Sequence, residues 1–290
     1  MKIRLPIPSR FSFDAIVRSH GWYDLPPFAY DAGQAILSTA VAARNASASV
    51  RFCLKNGALE AQSDGLDRKT LASIAARVFS LDVDVESFAL SLDPGSPLAR
   101  AVARGGGRML RAPGLFEDAV KMLLTTNCSW AATKGMVTRL IAEAGVQGAF
   151  PSPRSVAALS VRTLKERIRC GYRAPSLARF ARRIASGRLD VSRWESREAS
   201  TDAIRDVILA EHGFGPYAAE GLLRILGRHD YLAVDSWIRQ KFRSLHRGAA
   251  HATDRAIARR YARYGRYKGL ALWLEMTGDW HESITPSLRS

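Results

Sequence analysis

Asp235 is the residue whose setting most suggests chemistry. It stands in Val234-Asp235-Ser236-Trp237, shortly after a tight Gly213-Phe214-Gly215 turn. Ile204, Val207 and Ile208 recur at helical spacing before that turn. Ala218, Ala219, Leu222, Leu223 and Leu226 do so after it. Ser200, Thr201 and Asp202 offer N-cap oxygens to the first helix. Gly213 suits its end, Pro216 the first position of the second helix, and Gly227 the close of that helix. A Gly-x-Gly turn between helices points unbonded N–H groups outward, which makes an anion site that takes a phosphate without reading a base. A plain helical hairpin in a core would use the same residues. The charge of the chain and the acid that follows favour the anion-binding reading.

That charge is large. The 290 residues carry a formal net charge of +16, 35 of the 43 basic residues are arginine, and the sequence pI is about 10.4. Arginine suits phosphate and stacked bases, and a pI this high is the electrostatic footprint of a nucleic-acid binder. No apolar run reaches the roughly 18 residues of a membrane helix, and the N-terminus has no signal-peptide core. Cys53, Cys128 and Cys170 are odd in number and far apart. That argues against a disulfide framework, a zinc site or an iron–sulfur cluster, and for a reducing cytoplasm.

The first 63 residues or so are predicted to be β-rich, with strands at 36–42, 49–54 and 58–62 and a hairpin at Asn56-Gly57. From about Asp67 the pattern is helical. Stripes run through Leu71, Ile74, Ala75 and Val78, and through Phe116, Ala119, Val120, Leu123 and Leu124. Further helices are expected at 130–144, 154–160, 161–169, 176–186 and in the tail, 252–282. The expected class is α+β, mostly α, with a small N-terminal antiparallel β domain at 1–77 and a helical region at 78–290 containing the hairpin at about 200–227.

Four segments in order give a resemblance. They are Phe79-Ser80-Leu81-Asp82-Val83-Asp84; Met109-Leu110-Arg111 through Thr125-Thr126-Asn127 to Gly135-Met136-Val137; Cys170-Gly171-Tyr172-Arg173-Ala174; and the hairpin with Val234-Asp235. Together they resemble the helix–hairpin–helix (HhH-GPD) DNA glycosylases, most nearly the 8-oxoguanine and alkylpurine branches, over about 78–245. The resemblance implies that Gly213, Phe214 and Gly215 grip a DNA strand through backbone groups. It implies that Asp235 stabilises the sugar cation formed as an N-glycosidic bond breaks. It places Asn127 in the hole left by the flipped nucleotide, Tyr172 as a wedge and Arg173 against the orphaned base. Asp235 as a helix N-cap, Asn127 as a helix C-cap and Tyr172-Arg173 as an exposed turn are the plainer alternatives. Where bifunctional relatives carry a Schiff-base lysine, this chain has Tyr217, so a monofunctional glycosylase without lyase activity is expected. No other lysine is placed for that role.

Departures from the family pattern matter. Glu211-His212 replaces the usual Leu-Pro, and Ala132 replaces a second opposite-base arginine, which removes a strict demand for cytosine. No four-cysteine cluster follows. His20, Trp22 and Tyr23, with Trp273, are the candidates to hold the flipped base, and Phe28 is a further candidate. Trp22 and Tyr23 could equally pack the β domain, and Trp273 a helix face. His246, His251 and His281 show no metal spacing. No cofactor is expected beyond a monovalent cation at the hairpin, and the partner is double-stranded DNA bound by a monomer. The base could be an oxidised or alkylated purine or a modified pyrimidine, including the hypermodified cytosines of some phage genomes. The competing class is a non-catalytic, lesion-sensing DNA binder of the same fold.

Overall fold

The N-terminal strands form one antiparallel sheet. In the computed structural model, which describes residues 1–43 and 46–282 (281 and 282 by backbone alone), its order is β1-β5-β4-β3-β2. These strands are β1 (Lys2–Pro6), β2 (Ala29–Asp31), β3 (Ile36–Ala43), β4 (Ala46–Lys55) and β5 (Ala58–Ser63). The β4–β5 hairpin turns where expected, with Asn56 and Gly57 both in left-handed backbone at φ 49° and 67°. β1 and β2 were not foreseen. β1 is legible in retrospect, because Lys2-Ile3-Arg4-Leu5 alternates polar and apolar and Ile3 is buried.

Among the described residues the structure is mostly helical (51%). Arg68–Val78 packs on β1 and β5, and the expected boundary near 77 falls at its end. The hydrophobic interior does not divide there. One core joins the sheet to Leu115–Leu124, Trp130–Ala144, Ala174–Ala185 and both hairpin helices. A second core joins Glu86–Leu90 and Pro97–Ala103 to the late helices Ser236–Leu245, Asp254–Tyr261 and Lys268–Met276. The chain thus leaves the first core at about 83, returns near 110, and leaves again after 226. The second core closes tightly on the first. A Cβ on Gly269 would stand 2.0 Å from the Tyr231 carbonyl oxygen, so no larger residue fits.

Buried ions hold the first core in register. The fully buried Asp118 accepts from the Trp22 indole at 2.8 Å and the Ala112 amide at 2.9 Å, and pairs with Arg77 at 2.8 Å. Arg77 also reaches Glu195 at 2.8 Å. A buried carboxylate persists only when its oxygens are satisfied this way. Two buried histidines lack such help. Burial lowers the His20 imidazole to about 4, although its Nε2 lies 2.7 Å from the Leu110 carbonyl. Burial, then the charges of Arg224 and Arg111, lowers His229 to about 3.

Both rings are therefore neutral in the folded protein at pH 7, and each titrates near 6.5 in the unfolded chain. Below pH 6.5 the unfolded state binds protons that the folded state refuses, so stability falls with pH until the folded values are passed. We predict that His229→Leu flattens the decline of Tm between pH 6.5 and 4, followed by circular dichroism. Parallel curves for variant and parent would show that His229 titrates normally.

Candidate active site at the seam of the two cores

The hairpin helices are Thr201–Leu209 and Pro216–Ile225. Ser200 caps the first, accepting from the Ala203 amide at 3.1 Å. In the turn, Gly213 has φ 96°, and a Cβ there would stand 2.5 Å from that of Ser176, so position 213 needs glycine on both counts. Gly215 is exposed with open space around it, and it caps the second helix. Among the described residues, the amides of Gly213, Gly215, Tyr217 and Ala218 have no acceptor. Phe214 differs from its neighbours. Its ring is buried against Phe180 (5.1 Å between centroids) and Trp194 (6.2 Å), which leaves only its backbone for any contact outside the protein. Glu211 is buried too, turned from the turn's face and paired with Arg183 at 3.1 Å.

Asp235 is half-buried at the start of Ser236–Leu245. Its Oδ1 accepts from the Ile238 amide at 2.7 Å, so the carboxylate is a true N-cap with the second oxygen left over. Two residues earlier, buried Ala233 sits in left-handed backbone at φ 51°, a conformation that costs a non-glycine residue about 1–2 kcal/mol. Its amide donates to Glu220 Oε2 at 3.0 Å. The other oxygen of Glu220 takes Arg205 Nε at 3.2 Å and Nη2 at 2.8 Å. One carboxylate therefore ties both hairpin helices to the loop that delivers Asp235.

Tyr217 faces this loop. Burial raises the pKa of its phenol, and the Asp235 charge raises it further. Two turns on, the same helix face carries Arg224, buried with its guanidinium 4.1 Å from the Trp273 ring centroid. Trp273 is nearly buried and donates to the Ser19 carbonyl at 2.9 Å. Trp237 and Trp280, each about one-third exposed, lie 5.9 Å from it and extend the aromatic surface outward beside Asp235. A cleft of about 770 Å³ is lined by Tyr217, Glu220, Tyr231, Val234, Arg239 and Lys268 among others. The Asp235 carboxylate is not part of it.

The expected residues separate into groups. Asn127, Tyr172 and Arg173 do come together: Asn127 Nδ2 donates to the Tyr172 hydroxyl at 3.1 Å, and Arg173 lies 4.5 Å over the Tyr172 ring. Asn127 is exposed at φ 47°, and Tyr172 is 61% exposed. Arg173 is buried, its Nη2 donating to the Thr126 carbonyl and its Nε to Thr126 Oγ1 at 3.2 Å, so as it stands it braces the loop behind Asn127. His20 and Trp22 are enclosed by the contacts with Leu110 and Asp118, and Tyr23 packs edge-on to Tyr30. His20 and Trp22 are buried, and the segment is pinned between the sheet and Trp130, whose indole donates to Asp24 at 2.8 Å, while Tyr23 remains partly exposed. His281 lies outside the described side chains. Arg224, Glu220 and Ala233 were not foreseen. The spacing of seven from Tyr217 to Arg224 was the available signal for the arginine.

Residues 120–266 match the family described as HhH-GPD superfamily base excision DNA repair protein. The chain belongs to that superfamily. It is a base-excision repair protein of the DNA glycosylase class. Solved structures agree on the fold. An 8-oxoguanine glycosylase/lyase of Clostridium acetobutylicum matches at TM-score 0.73 and 17% identity, over 95% of each chain. A 3-methyladenine DNA-glycosylase of Archaeoglobus fulgidus matches at 0.74 and 16%, over 96% of this chain and 99% of that one. A Schizosaccharomyces pombe 3-methyladenine DNA glycosylase in complex with abasic DNA matches at 0.55 and 19%, over 70% of this chain and all of that one. Among curated proteins, none matches.

The different burial of Tyr172 and Arg173 gives a test. Tyr172→Ala should leave Tm within a degree or two and weaken binding to an abasic-site duplex about tenfold in fluorescence anisotropy. Arg173→Ala should weaken binding similarly but also lose roughly 1–3 kcal/mol of stability, because it releases buried groups of the Thr126 loop. Unchanged affinity in Tyr172→Ala would remove that ring from the DNA interface.

Proposed function

We propose that this protein is a monofunctional DNA glycosylase. It flips a damaged or modified base from double-stranded DNA and hydrolyses the N-glycosidic bond, leaving an abasic site. The observation that carries the reading is the Asp235 carboxylate held by the Ile238 amide, beside a Tyr217 phenol and not an amine. As the bond to the base breaks, positive charge grows on the deoxyribose. A fixed carboxylate stabilises that charge without reorganising, and its free oxygen can orient the attacking water. A phenol forms no imine with the sugar aldehyde, so the covalent route is closed at Tyr217.

The hairpin supplies the grip. Its unbonded amides face outward at the start of a helix, where a DNA phosphate is welcome. The carbonyls of His212, Gly213 and Phe214 accept no hydrogen bond among the described residues. As hard oxygen donors they fit a monovalent cation that would bridge the turn to the phosphate. Asn127 and Tyr172, both exposed and joined by a hydrogen bond, are the side chains offered to the gap left by the flipped nucleotide.

Asn caps a helix as well as Asp does, so Asp235→Asn separates chemistry from folding. We predict a change in stability below about 1 kcal/mol, duplex affinity within twofold, and a fall of single-turnover base release by on the order of 10²–10⁴. Full activity in this variant would remove Asp235 from the reaction. Binding without release by either protein, across a panel of oxidised, alkylated and phage-type modified bases, would favour the non-catalytic reading. For the lyase question, borohydride should trap no adduct with the parent protein, while Tyr217→Lys should yield one. An adduct with the parent would point to Lys268, which shares the cleft beside Tyr217.

A further inference from the structure

Arg224 has an environment that a structural strut does not need. It is 8% exposed, on the helix face shared with Tyr217. Its one hydrogen bond, from Nη1 to the Leu232 carbonyl, is long at 3.5 Å, and no ion pair holds it among the described residues. Burial lowers its pKa to about 10, partly offset by Tyr217, Asp235 and Glu220, so it stays charged at neutral pH. Two other buried arginines are tied down by carboxylates, Arg77 by Asp118 and Glu195 and Arg111 by Asp82 together with the Ile225 carbonyl, and Arg108 by the carbonyls of Ser9, Arg10 and Val83. Arg224 instead sits over the Trp273 ring, its Cζ 4.1 Å from the centroid, with most of its N–H groups unanswered, next to the aromatic surface of Trp237 and Trp280 and within the field of Asp235.

We propose that Arg224, laid on Trp273, contacts the flipped base, receives the negative charge of the departing base, and so selects electrically neutral bases with acceptor edges over cationic, N-alkylated ones. This rests on the glycosylase reading above. When the bond between C1′ and a neutral base breaks, its electron pair goes to the base nitrogen, and the base leaves as an anion. Water adds to C1′, its proton passing toward Asp235 and solvent, and the released base takes a proton from solvent. A guanidinium donating to a carbonyl oxygen or ring nitrogen of that base stabilises the anion. An N-alkylated cationic base leaves neutral and gains nothing from it. Its charge is repelled by Arg224 in the ground state, where little water screens the pair.

The test uses duplexes carrying 2′-fluoroarabino nucleotides, whose fluorine blocks hydrolysis, with either 8-oxoguanine (neutral) or 7-methylguanine (cationic). Anisotropy at fixed salt is read for the parent protein, Arg224→Met and Arg224→Lys. Arg224→Met keeps the stem on Trp273. The parent should bind the neutral duplex at least tenfold tighter than the cationic one. Arg224→Met should erase that ratio while binding undamaged duplex normally, and Arg224→Lys should keep part of it. A parent that prefers the cationic duplex, or a ratio unchanged in Arg224→Met, overturns the assignment and leaves the glycosylase reading intact. If Arg224→Met fails to fold, the parent's ratio and that of Arg224→Lys still decide. No duplex binding at all by the parent overturns both.

Discussion

The Glu220 carboxylate holds the site together. It lies on the second hairpin helix, takes Arg205 from the first, and accepts the amide of Ala233 in the loop that follows. Ala233 is in backbone that its side chain disfavours, and that hydrogen bond is what offsets the strain. Without it the loop has no reason to turn where it does, and Val234 and Asp235 lose their approach to the next helix. The hairpin and the acid are thus one mechanical unit. A shift of the hairpin backbone would be felt at the carboxylate through a single side chain.

Around that unit, charge is arranged by burial. Deep in the first core, Asp118 is satisfied three times over and stays silent. At the seam, satisfaction is incomplete. Asp235 keeps one oxygen uncommitted, Arg224 keeps most of its donors, and Tyr217 lies between with its phenol held neutral. Incompletely satisfied groups of opposite sign, Arg224 on a helix of the first core and Asp235 capping a helix of the second, interact electrostatically and polarise the seam. A reaction that separates charge, cation on a sugar and anion on a base, is matched by such a field.

Much of this was legible in the residues. The hairpin, its caps and the β4–β5 turn follow from local chemistry, whereas Asn127 and Tyr172 were singled out only through the family resemblance, and their hydrogen bond was not foreseen. The division of the interior into two cores does not. Both cores are helical along 78–276, and periodicity says which face of a helix is apolar but not which partner will cover it. Phe88 and Phe242 share a core although far apart in sequence, and nothing local marks that pairing. Trp22 was ambiguous for a related reason: an indole reads the same whether its N–H meets a ligand or a buried aspartate such as Asp118. Arg224 was hidden among the aliphatic residues of its helix. Its significance comes from Trp273, which reaches it across the seam.

Asp235 shows how little the architecture itself demands at the proposed reaction centre. What the fold asks of position 235 is an acceptor for the Ile238 amide, and it is indifferent to whether that acceptor carries charge. An amide side chain meets the demand equally well. Replacing one carboxylate oxygen by an NH₂ group would leave helix and loop in place while removing the anion on which the proposed hydrolysis depends. Under the proposed mechanism an enzyme and a passive reader of DNA stand one atom apart, and the protein's folding gives no warning of the change.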